Sequence, residues 1–233
     1  MARGIVAIDG PAGAGKSTVA RQVADRLGYL YIDTGAMYRA LTWKALMLGV
    51  NLEDENALTA LAANTDVALT GSGEGQRVYV DGREVTEEIR RPEVSRAVSL
   101  VARVPGVREE MMCLQRQLAA GGRVVLDGRD IGTCVLPCAD CKIFLTASPE
   151  ERARRRWLEL KGKGYEVSFE QILAEIKERD RIDSQREVAP LKPAEDAVVI
   201  DTTGMTLPEV VEKVIRLCRD KGCEPVERRG DGS

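Results

Sequence analysis

Residues 4–18, GIVAIDGPAGAGKST, decide the fold of this chain. An apolar run leads into a glycine-rich stretch at 10–17 that fits the pattern G-x-x-x-x-G-K-[ST]. Beyond it, Val19, Val23 and Leu27 recur every four residues, which predicts a helix with one apolar face. A strand, a glycine-rich loop and a helix in this order form a phosphate-binding loop, because backbone N–H groups and the helix dipole point at one anion.

Two side chains of this loop have the chemistry that a nucleoside triphosphate requires. Lys16 offers a mobile positive charge to the β- and γ-phosphates, and Ser17 offers a hydroxyl to Mg²⁺. The alternative is a glycine-rich turn that binds nothing. The flanking strand and amphipathic helix form the context that a binding loop needs, and they favour it.

Four further apolar runs predict strands of the same sheet: 29–32, 123–126, 142–145 and 197–200. Each run is continuous rather than alternating, as in parallel strands that are covered on both faces. Helix-start signatures lie among the later runs, where Ser148, Ser168 and Thr206 are each followed three residues on by Glu or Gln. Alternating strands and helices predict an α/β fold with a doubly wound, five-stranded parallel sheet.

Residues 65–85 break this alternation. They contain short runs of β-forming residues, and Asp81-Gly82 lies between two of them as a hairpin signal. The pattern predicts a small lobe with antiparallel strands, inserted into the α/β core.

The composition excludes several classes of protein. The 233 residues, 44% hydrophobic and 30% charged, are typical of one large domain or of a domain with an inserted lobe. A net charge of −3 argues against a partner that is a nucleic acid polymer. No apolar run approaches the ~20 residues of a membrane span, and no signal peptide is expected. The chain has no histidine, so nucleophiles activated by His and zinc sites with His ligands are excluded.

The cysteines leave one alternative open. Cys134, Cys138 and Cys141 have a spacing that could belong to a metal site, but a structural zinc site requires four ligands. The other interpretation is that these thiols are small packing residues in a reducing compartment.

Two loops follow predicted strands and carry charged residues. Residues 33–39, DTGAMYR, open a helix, and residues 127–130, DGRD, end an apolar strand. Ligands of doubly wound sheets bind beyond the carboxyl ends of the strands, so both loops are expected near the phosphate-binding loop. There Asp127 could support Mg²⁺ and Arg129 could clamp a second phosphate. A surface helix start and a simple Asp-Gly turn are the alternatives.

Two clusters of arginines follow. One opens the helix after Ser148, and the other lies within residues 177–186, KERDRIDSQR. A charged run is usually a solvated helix face. However, arginines in the first turns of a helix oppose its dipole, so we expect an anion to compensate them. A lid that closes over a triphosphate, with residues 162–164 at its tip, would supply that anion.

In these residues the chain resembles the cytidylate kinases of bacteria, a family of nucleoside monophosphate kinases. The resemblance runs from about residue 4 to about 219 and rests on GPAGAGKST, DTGAMYRA, SRAVSLVARVPGVR, DGRDIGT, KIFLTAS and KERDRIDSQREVAPL. It implies one kinase domain, 1–233, made of a CORE, an NMP-binding insert and a helical LID. The implied ranges are 1–62, 105–150 and 187–220 for the CORE, 63–104 for the insert and 151–186 for the LID, and 221–233 are expected to form a flexible tail.

The resemblance also implies the reaction, which is phosphorylation of CMP and dCMP by ATP with Mg²⁺. It assigns the ATP phosphates to Gly10, Pro11, Ala12, Gly13, Ala14, Gly15, Lys16, Ser17 and Thr18, with Arg155 and Arg156. It assigns the CMP site to Thr34, Tyr38, Arg39, Ser99, Arg108, Arg129, Asp130, Arg179, Asp183 and Arg186. Lys16, Arg129 and Asp130 are the implied catalytic residues, Ser17 with water holds Mg²⁺, and Asp127 is a second candidate for that ion.

Two other functions remain open at this point. A small-molecule kinase of the shikimate or gluconate type would phosphorylate a hydroxyl group, and a P-loop switch ATPase would hydrolyse ATP without an acceptor. The expected partners are free nucleotides, with no nucleic acid polymer and no membrane. The resemblance further implies a cytoplasmic monomer.

Overall fold

A computed structural model describes residues 3–71 and 75–226. The strands are β1 (Ile5–Asp9), β2 (Leu30–Asp33), β3 (Val67–Thr70), β4 (Arg77–Val80), β5 (Arg83–Glu84), β6 (Val124–Gly128), β7 (Cys141–Thr146) and β8 (Val198–Asp201). The helices are α1 (Lys16–Leu27), α2 (Thr34–Met47), α3 (Glu55–Ala63), α4 (Pro92–Ala102), α5 (Pro105–Ala119), α6 (Pro149–Gly162), α7 (Phe169–Gln185) and α8 (Leu207–Asp220). Short 3₁₀ and π turns lie at Glu88–Arg90 and Ile131–Val135.

Five strands form one parallel sheet in the order β2-β6-β1-β7-β8. The phosphate-binding strand β1 is therefore central, and it is buried along its whole length. The predicted α/β class and the doubly wound, five-stranded parallel sheet are confirmed. Each predicted strand is present, with ends that differ by one or two residues.

Helices cover both faces of the sheet. One core packs α1 and α8 against the sheet, and Val19, Val23 and Leu27 of α1 point into it, as their spacing predicts. The other core packs α2, α3 and α5 against the opposite face. The N-terminus of α2 is fixed locally, because the carboxylate of Asp33 accepts a hydrogen bond from the Ala36 N–H at 2.8 Å.

The predicted antiparallel lobe is present as the three-stranded sheet β3-β4-β5. Asp81 and Gly82 both have positive φ, 50° and 78°, which is the conformation of a two-residue type I′ hairpin turn. The described strands of the lobe share a core with the main sheet, since Val67, Val78 and Val80 belong to the same buried cluster as one of its faces.

Helices α6 and α7 form a hairpin with its own small core, which contains Ala153, Leu160, Ile172 and Ile176. Residues 163–168 join the two helices, so the expected tip at 162–164 spans the last residue of α6 and the start of this connection. Within the described ranges, no helix has both the length and the apolar character needed to cross a bilayer.

The expected flexible tail is corrected in its first part. Cys223 is fully buried, the Tyr29 hydroxyl donates to the Glu224 carbonyl at 2.9 Å, and the Val226 N–H donates to the Leu27 carbonyl at 2.8 Å. Residues 221–226 thus pack on the core around α1, although their sequence has no helical or strand periodicity. Residues 227–233 of the expected tail lie outside the described part.

Candidate active site

The site lies where the carboxyl ends of β1, β6 and β2 meet. Asp9, Asp127 and Asp33 end or nearly end these neighbouring strands, and all three are buried. Beyond them a cleft of about 860 Å³ is lined by the glycine-rich loop, the start of α2, α4, residues 127–130, α6 and α7. The position agrees with the rule that ligands of parallel sheets bind beyond the carboxyl ends of the strands.

The glycine-rich loop has the backbone of an anion cradle. Gly13 and Gly15 have φ of 76° and 86°, in the left-handed region that favours glycine. The Nζ of Lys16 donates to the Pro11 carbonyl at 2.9 Å across the loop. Burial lowers the pKa of Lys16 well below its ordinary value, and the charge of Arg129 lowers it further. A bound phosphate would reverse this effect by placing negative charge beside the ammonium group.

A carboxylate and a hydroxyl meet beside the loop. The Ser17 hydroxyl donates to Oδ2 of Asp127 at 2.7 Å, and the Tyr31 hydroxyl donates to Oδ1 of Asp127 at 2.8 Å. Burial and the charge of Asp33 raise the pKa of Asp127. Oxygen donors of this kind suit Mg²⁺, which usually binds proteins through one or two carboxylates and completes its shell with water and substrate phosphate.

A second group of charges lies at the other end of the cleft. The buried Asp130 carboxylate forms ion pairs with Arg108 and with Nη2 of Arg186, the latter at 3.1 Å. The Arg108 guanidinium also lies 5.7 Å from the centroid of the Tyr38 ring. Burial raises the pKa of Tyr38 to about 12, so this phenol is neutral. Each oxygen of Asp130 keeps acceptor capacity beyond its arginine, because a carboxylate has about four lone-pair positions.

Asp183 of α7 joins three parts of the chain. The Ser99 hydroxyl of α4 donates to its Oδ1 at 3.2 Å, and Nε of Arg129 donates to its Oδ2 at 3.1 Å. Burial raises the pKa of Asp183, but the charges of Arg129, Arg179 and Arg186 outweigh burial and lower it overall.

Arg179 is the cation with the fewest contacts in this group. Within the described chain its buried Nε has no hydrogen-bond partner, and it lies 4.0 Å from Asp183. Burial and the neighbouring Arg129 lower the pKa of Arg179 to about 10. Two guanidinium groups that share one carboxylate leave positive charge to be compensated, which is the chemistry of an anion site.

The arginines of α6 do not require an external anion, contrary to the sequence-based expectation. Arg154 and Arg155 pair with Glu151, Arg156 pairs with Glu159, and Arg152 pairs with Asp180. Carboxylates of the same helix and of α7 therefore compensate these charges without a ligand. Arg155 and Arg156 do line the cleft.

Most of the site residues expected from the sequence line one cleft: Ala12, Gly13, Gly15, Lys16, Ser17, Thr18, Thr34, Tyr38, Arg39, Ser99, Arg108, Asp127, Arg129, Asp130, Arg155, Arg156, Arg179, Asp183 and Arg186. Gly10, Pro11 and Ala14 are part of the loop but do not line it. Ala14 is buried in the core, and a Cβ on Gly10 would lie 1.9 Å from the Leu145 carbonyl oxygen. These three residues lie on the side of the loop that faces away from the cleft and fix its shape.

Sequence reasoning did not single out several residues of the site. Arg21 lines the cleft, and its guanidinium lies 5.7 Å from the centroid of the Tyr31 ring. Its position four residues after Ser17, on the same face of α1, is a signal that was available. Asp9 ends the apolar run before the glycine-rich loop, as Asp127 ends a later run, so a signal for it was also available. No local pattern marks Tyr31.

Asp9 holds the turn that follows β6. Its two carboxylate oxygens accept hydrogen bonds from the Ile131 and Gly132 N–H groups, each at 2.8 Å. Burial raises the pKa of Asp9 to about 6, although the two N–H groups act in the opposite direction. This carboxylate therefore links the central strand to the segment that carries Asp130.

The alternative of a cysteine metal site is wrong. Cys138 is exposed, whereas Cys141 is buried in β7 with its Sγ 3.8 Å from Sγ of Cys218. Across the residues that the structure describes, no three His, Cys, Asp or Glu side chains are grouped so that they could hold a metal ion.

Comparisons with known proteins agree with this geometry. The family described as Cytidylate kinase matches residues 6–220. A cytidylate kinase of Pelotomaculum thermopropionicum is 60% identical over 90% of this chain and 93% of its own length. One from Bacillus velezensis is 56% identical over 93% of this chain and 96% of its own length.

Among solved structures, an uncharacterized protein from Eubacterium ventriosum shares the fold. Its TM-score is 0.51 at 12% identity, over 93% of this chain and 98% of its own length. The sequence match spans nearly the whole chain, and the cleft joins a phosphate-binding loop to a buried Arg–Asp–Arg group. This chain therefore belongs to the cytidylate kinase family.

Proposed function

We propose that this chain transfers the γ-phosphoryl group of ATP to the phosphate of CMP and dCMP, giving CDP and dCDP. The observation that carries the proposal is the single cleft with two unlike ends. One end is the glycine-rich loop, and the other is the buried group of Arg108, Asp130 and Arg186. A donor phosphate and an acceptor nucleotide fit these two ends.

At the donor end, N–H groups of residues 12–18 and the ammonium of Lys16 bind the ATP phosphates. Arg155 and Arg156 reach the same phosphates from α6. Ser17 and Asp127 would hold Mg²⁺, which when bound would supply positive charge beside the transferred group.

At the acceptor end, positive side chains bind the nucleoside monophosphate. Arg129 and Arg39 clamp its phosphate, with Thr34 and Tyr38 beside them. Arg179 and Asp183 bind near the sugar, and Ser99 joins Arg108, Asp130 and Arg186 at the cytosine edge. Arg179 carries positive charge that its surroundings compensate only in part, which supports an anionic ligand nearby.

The base is selected by hydrogen bonds. Cytosine has an amino group at C4 where uracil has a carbonyl. The Asp130 carboxylate, held by Arg108 and Arg186, accepts from the amino group and opposes the carbonyl. With UMP this charged hydrogen bond is lost and two acceptors face each other, at a cost of about 1–3 kcal/mol, which corresponds to roughly tenfold discrimination or more.

No histidine or other general base is needed for this reaction. The acceptor is a phosphate with a second pKa near 6, so it is already largely a dianion at neutral pH. The chain's task is to align the two nucleotides and to neutralise charge, which Lys16, Arg129 and the other arginines perform.

The CORE and the two lobes have separate tasks. Residues 63–104 bind the acceptor, residues 151–186 act as a lid, and the CORE binds ATP. Closure of both lobes would exclude water and so prevent futile hydrolysis of ATP. The enzyme acts as a cytoplasmic monomer on free nucleotides, and light scattering after size-exclusion chromatography tests its oligomeric state.

The test is ADP production from ATP and Mg²⁺ with CMP, dCMP, UMP, AMP, GMP, shikimate or no acceptor. We expect strong turnover with CMP and dCMP, weak turnover with UMP and none with the others. Turnover that does not depend on the acceptor would indicate a switch ATPase and would remove the roles of Arg129, Asp130 and Arg186.

A further inference from the structure

Arg152, in the first turn of α6, is a buried cation outside the cleft. It is 3% exposed and does not line the cleft. Its guanidinium makes four hydrogen bonds to three separate segments. Nε donates to the Ala147 carbonyl at 2.9 Å, and Nη1 donates to the Ala12 carbonyl at 3.1 Å. Two further bonds, of 3.1 and 2.6 Å, reach the two oxygens of Asp180 on α7.

The bond to the Ala12 carbonyl fixes a peptide plane of the glycine-rich loop. The chain has no cis peptide among the residues described, so the carbonyl of Ala12 and the N–H of Gly13 point in opposite directions across one rigid unit. Arg152 pulls the carbonyl away from the cleft. The Gly13 N–H is therefore directed towards the cleft, which Ala12 and Gly13 both line.

Close packing makes this arrangement rigid. A Cβ on Gly13 would lie 3.1 Å from both Cβ and the carbonyl oxygen of Arg152. Gly13 also has φ of 76°, a conformation that side chains disfavour. The loop thus rests directly on α6 at the point where Arg152 holds it.

The other end of the guanidinium is tied to the LID. Asp180 directly follows Arg179 in sequence and lies about one helical turn before Asp183. Arg179 and Asp183 both line the cleft. A bidentate ion pair between an arginine and a carboxylate fixes the orientation of the two groups as well as their distance. A shift of α7 would therefore act on the Ala12–Gly13 peptide through one side chain.

We propose that Arg152 is a positioning residue for the phosphate-binding loop. It orients the Gly13 N–H towards the nucleotide phosphates. Because Arg152 also pairs with Asp180, this orientation depends on the position of α7. The inference rests on the proposed use of ATP as donor. Arg152 itself touches no substrate in this role.

The experiment compares Arg152→Lys and Asp180→Asn with the matched control Arg154→Ala. Arg154 lies on the same helix, but it is exposed and pairs only with Glu151. Calorimetry without acceptor measures the affinity for a non-hydrolysable ATP analogue, steady-state assays measure the KM of ATP and of CMP, and thermal denaturation measures Tm.

We expect Arg152→Lys to weaken binding of the ATP analogue about tenfold or more, as for loss of a hydrogen bond to a charged group. The KM of CMP should change less than twofold. Asp180→Asn should weaken binding of the analogue by a smaller factor, and Arg154→Ala should change neither. The amide ¹H–¹⁵N signal of Gly13 should shift when inorganic triphosphate is added to the wild type, and this shift should shrink in Arg152→Lys.

Unchanged affinity for the analogue in a folded Arg152→Lys variant would overturn the inference. Equal losses for ATP and CMP together with a lower Tm would assign Arg152 a purely structural role and would also overturn it. If Arg152→Lys does not fold, two measurements test the inference instead. Unchanged affinity of Asp180→Asn for the analogue, or a wild-type Gly13 signal that does not shift with triphosphate, would then overturn it. Failure of the wild type to phosphorylate CMP would contradict the proposed function instead, because binding of the analogue is measured without any acceptor.

Discussion

The single residue Asp130 contributes both to the stability of the fold and to the proposed selection of the base. Its carboxylate compensates two buried guanidinium groups, those of Arg108 and Arg186. Removal of such a carboxylate leaves buried charge without a partner, which costs about 3–5 kcal/mol. A substitution that tests base recognition must therefore keep the shape and one acceptor oxygen.

We predict that Asp130→Asn lowers kcat/KM for CMP at least about tenfold and narrows the ratio between CMP and UMP. The new amide group can donate to the uracil carbonyl, whereas the carboxylate could not. Initial rates with both acceptors at saturating ATP measure the effect. Asp196→Asn is the control, because the exposed Asp196 side chain pairs with Lys142 and neither residue lines the cleft. A CMP/UMP ratio that stays at the wild-type value would remove Asp130 from base recognition.

Asp9 gives a prediction about pH. Its pKa is raised from 3.8 to about 6 in the folded chain, so the folded state binds a proton that the unfolded state has already lost. The stabilisation by this proton is complete below about pH 4 and disappears as the pH rises through 6. A rise of the pKa from 3.8 to about 6 corresponds to about 3 kcal/mol in the free energy of unfolding.

Urea unfolding of the wild type and of Asp9→Asn, followed from pH 4 to 7, tests this prediction. The stability of the wild type relative to the variant should fall by about 3 kcal/mol across that range, since Asn does not titrate. Asn accepts only one of the two N–H groups, but that difference is constant with pH. The same comparison with Asp196→Asn should be flat. A flat difference for Asp9→Asn would mean that Asp9 is already ionised at pH 4.

At the scale of elements, much of the sheet could be predicted because its signals are local. The run before Gly10, the spacing of Val19, Val23 and Leu27, and the cap at Ser148 each lie within one element. Burial on both faces dictates continuous apolar strands, and the phosphate loop fixes which strand is central. The Asp81-Gly82 hairpin was equally local.

The contacts that build the site are not local. Asp183 is reached by Ser99, 84 residues earlier, and by Arg129, 54 residues earlier. The buried Arg152 looks in sequence like its exposed neighbour Arg154, because both belong to one charged run. Residues 221–226 pack through the buried Cys223, the Val226 side chain and hydrogen bonds with Tyr29 and Leu27. These contacts follow no periodic pattern, so the sequence does not indicate them.

The hairpin of the inserted lobe offers a clean test of backbone conformation. Gly82 has φ of 78°, and a Cβ placed on it would meet no atom within 4 Å. Gly82→Ala should therefore lower the free energy of unfolding by about 1 kcal/mol through the left-handed backbone alone. Gly121→Ala is the control, since its Cβ also meets nothing and its φ is ordinary. Chemical denaturation of both variants measures the difference. Equal stabilities would contradict a type I′ turn at Gly82.

At the scale of the whole molecule, the cleft is bounded by helices that are anchored differently. Helix α4 packs on the core shared with the sheet, whereas α6 and α7 have a small core of their own. Two polar contacts join α4 to α7. One is the buried bond between Ser99 and Asp183, and the other is the ion pair between Arg96 and Glu175, at 2.9 Å.

The Arg96–Glu175 pair predicts a charge-dependent closure of the cleft. Both residues line the cleft and are partly exposed, so the pair contributes at most about 1 kcal/mol. Arg96→Glu places two like charges opposite each other and should raise the KM of CMP by about two- to fivefold with little change in kcat. Glu175→Arg in that background restores an attractive pair and should return the KM towards the wild-type value.

The salt dependence separates this effect from a packing defect. Because the Debye length falls to about 3 Å at 1 M salt, the loss in Arg96→Glu should shrink as salt is added, whereas a packing defect would persist. Steady-state kinetics of the wild type, both single variants and the double variant at low and high salt measure all four corners of the cycle. If the double variant is as impaired as the sum of the single variants at low salt, the two side chains do not act as a pair, and the two lobes close over the nucleotide without help from this contact.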